Sequence, residues 1–417
     1  MNTNWKKVLG PGILFASTAI GVSHLVQSTQ AGAQFGLSLL WAILLANILK
    51  FPFFEYGSRY ASVKGASILK GYYELHKIWL YLYLLITFVS MFFVTAGVGV
   101  ITYGFMEHLF SLNEITGINH FTLYLLFALS TAILWFGRFS TLDSLIKILA
   151  VILFITTVTV FITVCVGGPK GSDQLFPEWN QDMTAFLLPL MGWMPTALDL
   201  SAWNSIWTVE RIHYSGYKPT LKETLREFNF GYWASATLAI FFMITGAFLI
   251  YGTGQKMPSK PAEVSEFVVS IYTRTAGEWI RYIISSASFS IMFSTFITVL
   301  DGYSRSISYS LSLLSTRELR PNQMYRPTLI LLSIGGLLLL LSFLNAPNGL
   351  KGILNISTIL SFLIAPVIAI LNFRIVQKDI LGSANAPGLF LRIVSYAGII
   401  YLLAFSVYYL YGLLKGG

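Results

Sequence analysis

The apolar positions of this chain gather into long blocks separated by short polar stretches. A helix needs about 20 mostly apolar residues to cross a bilayer, and by that measure the chain holds about eleven such blocks. They lie over 9–34, 37–57, 78–105, 121–136, 142–167, 184–208, 230–252, 279–301, 328–345, 352–373 and 390–413. Two blocks break in the middle, at Gly21-Val22-Ser23-His24 and at Met194-Pro195-Thr196-Ala197. Broken helices at membrane depth are tolerated only where the freed backbone is buried in protein or lines a cavity. Paired breaks of this kind point to a transporter's binding site.

The pattern predicts an all-α polytopic membrane protein with one transmembrane domain over 1–417. The breaks fall in the first and sixth blocks, five spans apart, as two inverted five-helix halves require. Those halves are expected over 9–167 and 184–345, with extra helices in 352–413. The stretch 252–277 reads as an external loop with a short amphipathic helix over 261–275. The first block runs past signal-peptide length without a small-residue cleavage site, so it is read as a span and not a removable leader.

Composition agrees. Of 417 residues, 55% are hydrophobic and 11% are charged, where a soluble domain carries about a quarter charged. The net charge of +9 calls for no nucleic-acid partner, because the bases sit in loops between spans. Arg59, Lys64, Lys70 and Lys77 follow the second block, and Arg211, Lys218, Lys222 and Arg226 the sixth. Arg305, Arg317, Arg320 and Arg326 follow the eighth, and Arg374 and Lys378 the tenth. The intervening loops are poor in base: 107–120 has none, and 168–183 has only Lys170. The positive-inside rule then predicts a cytoplasmic N-terminus and an external C-terminus in a plasma (inner) membrane. The single cysteine, Cys165, excludes an internal disulfide and reads as a buried apolar filler. No Walker A sequence, nucleophile elbow, zinc-ligand spacing or haem motif is present, so the chain is not read as an enzyme and no cofactor is expected beyond a coupling ion.

At the breaks and around them the chain resembles the Nramp family of divalent-metal transporters. The resemblance rests on Gly10-Pro11-Gly12, Ala31-Gly32-Ala33-Gln34-Phe35-Gly36, Leu39-Leu40-Trp41, Leu44-Leu45-Ala46-Asn47, Met194-Pro195 and Ser294-Thr295. It implies a LeuT-like inverted repeat with the substrate between the unwound parts of spans one and six. The departures are specific. Gly21 and His24 stand at the ends of the family's Asp-Pro-Gly-Asn motif, and Thr196 replaces the histidine of Met-Pro-His. Ala96 and Gly99 stand where the family carries span-three acids, and Thr358 stands at a span-ten glutamine.

A secondary-active transporter of a small inorganic ion follows, with substrate residues expected at Gly21, Ser23, His24, Met194, Thr196, Ala197 and Asp199. Two substrate classes stay open. A metal cation, divalent or soft and perhaps proton-coupled in the family's way, uses His24 and Met194 as ligands. A small anion such as bicarbonate uses the positive ends of the broken half-helices. It needs a cation partner, for which Na⁺ symport at Ser294 and Thr295 is the expectation, with first-span carbonyls near 16–20. Asp199 pairs with His24, binds a co-transported cation, or bonds locally. Lys50 and Glu55 are expected near the cytoplasmic interface, Asp143 and Lys147 as a helix pair, and Asp301 as an anchor among arginines. The hydroxyls Ser285, Ser286, Ser288, Ser290, Ser294, Thr295 and Thr298 are expected to join span eight to its neighbours.

Overall fold

The computed structural model describes residues 10–414 except 138, 173, 256–257, 259–260, 316–322 and 347. Among the described residues it is helical throughout, and the eleven expected spans are present. Span one is Pro11–Ala19, a π-helical Val22–Ser28 and Thr29–Phe35, and span two is Leu40–Lys64. Spans three, four and five are Lys77–Phe110, Phe121–Phe136 and Phe139–Gly167. Span six is Gln181–Gly192 followed, after a non-helical stretch, by Leu200–Ser215. Spans seven to eleven are Leu221–Leu249, Arg281–Leu314, Tyr325–Leu344, Gly349–Ile375 and Leu389–Leu414. Among the described residues, six continuous helices are long and apolar enough to cross a membrane. The helix expected over 261–275 is Pro261–Ala276 and packs on spans three and eight.

Spans one, six, three and eight form the centre. Span eight runs along span three, and span seven lies against all three parts of span one. The backbones of spans one and seven meet at Gly32 and Gly246, where an added β-carbon runs into the opposing main chain. The N-terminus of span one is closed by Glu227 of span seven, whose carboxylate accepts from the N–H groups of Gly10 at 3.0 Å and Gly12 at 2.9 Å. This acid meets orphan donors and the positive end of the helix dipole at once.

Several boundaries differ from the sequence reading. Span seven begins at Leu221, not near 230, because Thr220 and Glu223 form a reciprocal capping box; such boxes fix helix starts independently of apolar content. Span eight continues from 301 to Leu314, so Asp301 sits inside the helix. It is still an anchor: it accepts from Arg305 Nε at 2.8 Å, Trp207 Nε1 at 3.0 Å and Tyr325 OH at 2.8 Å. Cys165 is exposed, not buried, because the buried register of span five passes through Val160 and Val164. Arg317 and Arg320 lie outside the described residues, as do the side chains of Asp143 and Lys147.

Candidate functional site

The first break is narrower than the sequence suggested. The α-helix of span one ends at Ala19, Gly21 N–H turns back to Ala19 O at 2.9 Å, and a π-helical turn starts at Val22. π-Turns are rare and mark functional positions in helices. The wider turn also redirects its side chains. Ser23 faces the centre, and His24 faces span seven. Span six has no helix between Gly192 and Leu200, so the whole segment 193–199 is free backbone with short turns.

A cavity of about 30 Å³ lies between the two breaks, enough for a water or a small ion without its full hydration shell. Its polar lining is Thr18, Ser23, Thr196, Asp199 and Thr295; its apolar lining includes Val22, Val94, Trp193 and Trp203. Of the expected site residues, Ser23, Thr196, Ala197, Asp199 and Thr295 meet there. Ser23 Oγ lies 3.1 Å from Pro195 O and bridges the two breaks directly. Trp193 closes the wall by donating its indole N–H to Ser361 of span ten at 2.9 Å.

The expected soft ligands are elsewhere. His24 is fully buried outside the lining, with both ring nitrogens engaged. Nε2 lies 3.0 Å from Ser235 O, and Nδ1 lies 2.8 Å from Ser23 Oγ. A carbonyl only accepts, so Nε2 carries the proton. Met194 is also fully buried and absent from the lining. His24 thus neither pairs with Asp199 nor stands with Met194 as a ligand pair, because each spends its surface on packing or backbone. Among the described residues no three His, Cys, Asp or Glu side chains cluster as a metal site.

Beside the cavity, oxygens converge on the end of the first half of span one. Thr295 Oγ1 donates to Ser17 O at 3.1 Å and lies 3.5 Å from Ile20 O. Ser294 Oγ is 2.6 Å from Ser17 Oγ. Ser17 O and Ile20 O belong to a helix end, where carbonyls lack intrahelical partners. Two carbonyls and three hydroxyls therefore share one place. Gly21 sits against it, not in the cavity lining.

At the positions where the family has span-three acids, Ala96 is buried, and a β-carbon on Gly99 meets Phe296, Leu340 and Phe127 at 3.2–3.3 Å. The neighbours of Gly99 are thus apolar side chains. Thr358 turns its hydroxyl onto Leu354 O and Asn355 O of its own helix, at 2.9 and 3.0 Å, away from the cavity.

Lys50 is the residue that sequence reasoning placed wrongly. It is fully buried, and Nζ donates to Met191 O at 2.7 Å and Gly192 O at 3.0 Å, with the Phe362 ring 5.7 Å away. A cation thus caps the broken end of span six, where the helix dipole is negative. Glu55 does not pair with it; it forms a buried ion pair with Arg59 at 2.6 Å. The readable signal was a lone lysine inside an apolar span, which marks function more often than an interface.

Two broken spans around a small cavity between them define a secondary transporter of the LeuT fold. A family model described as natural resistance-associated macrophage protein-like, Nramp, matches residues 12–412. A Pasteurella multocida protein described as uncharacterized is 33% identical over 408 residues, covering 96% of this chain and 91% of that protein. Among solved structures, the Eremococcus coleocola manganese transporter superposes with a TM-score of 0.72 at 13% identity, covering 96% of this chain and 86% of that one. A Na⁺-coupled sialic acid symporter superposes at 0.59 and 15% identity, covering 94% and 88%. The chain belongs to the Nramp family of membrane transporters.

Proposed function

We propose that the chain is a sodium-coupled transporter of a small inorganic ion, with a small anion such as bicarbonate as substrate. The observation that carries the coupling is the cluster of Thr295 and Ser294 hydroxyls on Ser17 and Ile20. Hard cations take oxygen ligands from hydroxyls, carbonyls and carboxylates, and this place offers neutral oxygens that need only rotate to face an ion.

The cavity supports the anion. Gly21 leaves the break of span one without a carboxylate, so the positive N-terminal end of the π-turn is not offset there. Thr196 brings a hydroxyl donor to the same wall. The thioether and imidazole that a softer metal ion would use are turned away. Inward movement of an anion costs about 2.3 kcal/mol per charge per 100 mV of negative-inside potential, which an accompanying cation offsets. The basic loops favour a cytoplasmic N-terminus in the plasma membrane, and the two breaks are read as equivalent points of two inverted halves.

A metal cation is the competing reading, and its remaining support is Asp199 on the cavity wall. Purified protein in liposomes separates the two. Labelled bicarbonate and Mn²⁺ are each offered with and without an inward Na⁺ gradient. Bicarbonate uptake that requires the gradient, with no Mn²⁺ flux, is the expected result. Mn²⁺ flux indifferent to sodium, with no bicarbonate uptake, overturns the proposal.

A further inference from the structure

Asp199 is the single ionisable side chain on the cavity wall among the described residues. It is 6% exposed, and its Oδ1 has no hydrogen-bond partner. Beside it stand Tyr83 of span three and Tyr303 of span eight, both close enough to act on its charge. The hydroxyls of both tyrosines and the indole N–H of Trp203 are buried without a partner at strict hydrogen-bonding geometry, although Tyr303 stands close enough to Asp199 and Ser90, and Tyr83 to Trp203, Thr87 and Ser306, to form longer contacts. Trp203 and Tyr303 touch edge to face at 4.5 Å. No charged side chain among the described residues acts on Asp199.

Buried polar groups are nearly always paired, so a group of unmade bonds around one carboxyl is incomplete as it stands. A buried carboxylate with no counter-charge is costly, and it becomes tolerable with a cation. The neighbours decide which cation. The indole nitrogen of Trp203 is only a donor, and a phenol is a donor as readily as an acceptor. A metal ion requires acceptors on every side, and among the described residues no second acid or imidazole joins Asp199 on the wall. A proton requires partners for both of its states. An ionised Asp199 accepts from Tyr303, and a protonated Asp199 donates to the same tyrosine oxygen.

We infer that Asp199 is a proton-carrying group of the transport cycle, loaded and unloaded beside Tyr83 and Tyr303. This rests on reading the chain as a secondary transporter. In the unloading step the O–H bond of the carboxylic acid breaks, the electron pair stays on the carboxylate, and the proton passes to a water in the cavity. Loading is the reverse. The site supplies the acid that span three lacks at Ala96 and Gly99, and a protonated Asp199 removes the one negative charge that would oppose an anion in the same cavity.

Infrared difference spectroscopy of the full-length protein in lipid nanodiscs tests this without knowledge of the substrate. Spectra are taken across about pH 4 to 10, the range that buried carboxyl groups span. The expected result is a carboxylic-acid C=O band that grows on acidification, is lost in Asp199→Asn and is kept when Glu278, an exposed acid paired with Arg281 at the start of span eight, is replaced in Glu278→Gln. In Tyr303→Phe, which keeps the ring packing, the midpoint shifts. A band that no Asp199-dependent change accompanies overturns the inference. So does an Asp199 signal that responds to added NaCl at fixed pH but not to pH, since the site then holds a metal cation. Because the readout is the carboxyl and not flux, failure here leaves the sodium assignment at Ser294 and Thr295 standing, and failure there leaves this one standing.

Discussion

Thr295 occupies the space that a side chain on residue 21 would need. A β-carbon added to Gly21 would lie 2.8 Å from Thr295 Cγ2 and 2.9 Å from Thr295 Oγ1. The same Thr295 hydroxyl bonds to Ser17 O. An acid at the first break and a hydroxyl bound to the first-span carbonyls are therefore alternatives in this geometry. Gly21→Asp is expected to lose about 1–3 kcal/mol by overpacking, and Thr295→Ala in the same chain recovers part of it. Thermal unfolding of the four proteins in detergent forms the double-mutant cycle; strictly additive effects would contradict the contact.

Lys50 caps the end of the first half of span six through Met191 O and Gly192 O. Lys50→Met keeps the apolar stem and removes the charged donor from two buried carbonyls. A loss of about 2–3 kcal/mol is expected, in line with hydrogen bonds to a charged group. Unfolding in detergent checks it, and a variant as stable as the parent shows that water replaces the ammonium at no cost.

Manganese is expected to bind weakly at the cavity. His24 is held by Ser235 O and Ser23 Oγ, and Met194 is packed outside the lining. Calorimetric titration with Mn²⁺ should give no saturable binding, and the trace should be unchanged in Met194→Ala. Micromolar affinity that vanishes in Met194→Ala would contradict the geometry described.

The spans were legible because each must bury its backbone in one apolar run, and hydropathy reports that directly. Both breaks were legible for the same reason, since polar and small residues interrupt those runs. The facing of His24 was not legible. It depends on a π-turn at Val22–Ser28, and one extra residue per turn rotates Ser23 toward the cavity and His24 toward span seven. The cap made by Lys50 joins residues more than a hundred positions apart, a contact that no local pattern encodes. The extended start of span seven is written in Thr220 and Glu223, which precede the apolar run and so leave no mark on hydropathy. The Asp199 cluster was half legible: an acid inside a span marks a site, but Tyr83 and Tyr303 reach it only through the packing of spans three, six and eight.

The most direct test of the central claim is the sodium dependence of transport in proteoliposomes, parent against Ser294→Ala/Thr295→Ala. Both replacements remove hydroxyl oxygens from the end of span one's first half and leave the helix intact. Bicarbonate uptake that an inward Na⁺ gradient drives in the parent, and that loses this dependence or falls to background in the double variant, is the predicted result. Equal sodium-driven uptake by the two proteins would remove Ser294 and Thr295 from the coupling site, and uptake indifferent to sodium in the parent would contradict sodium coupling itself.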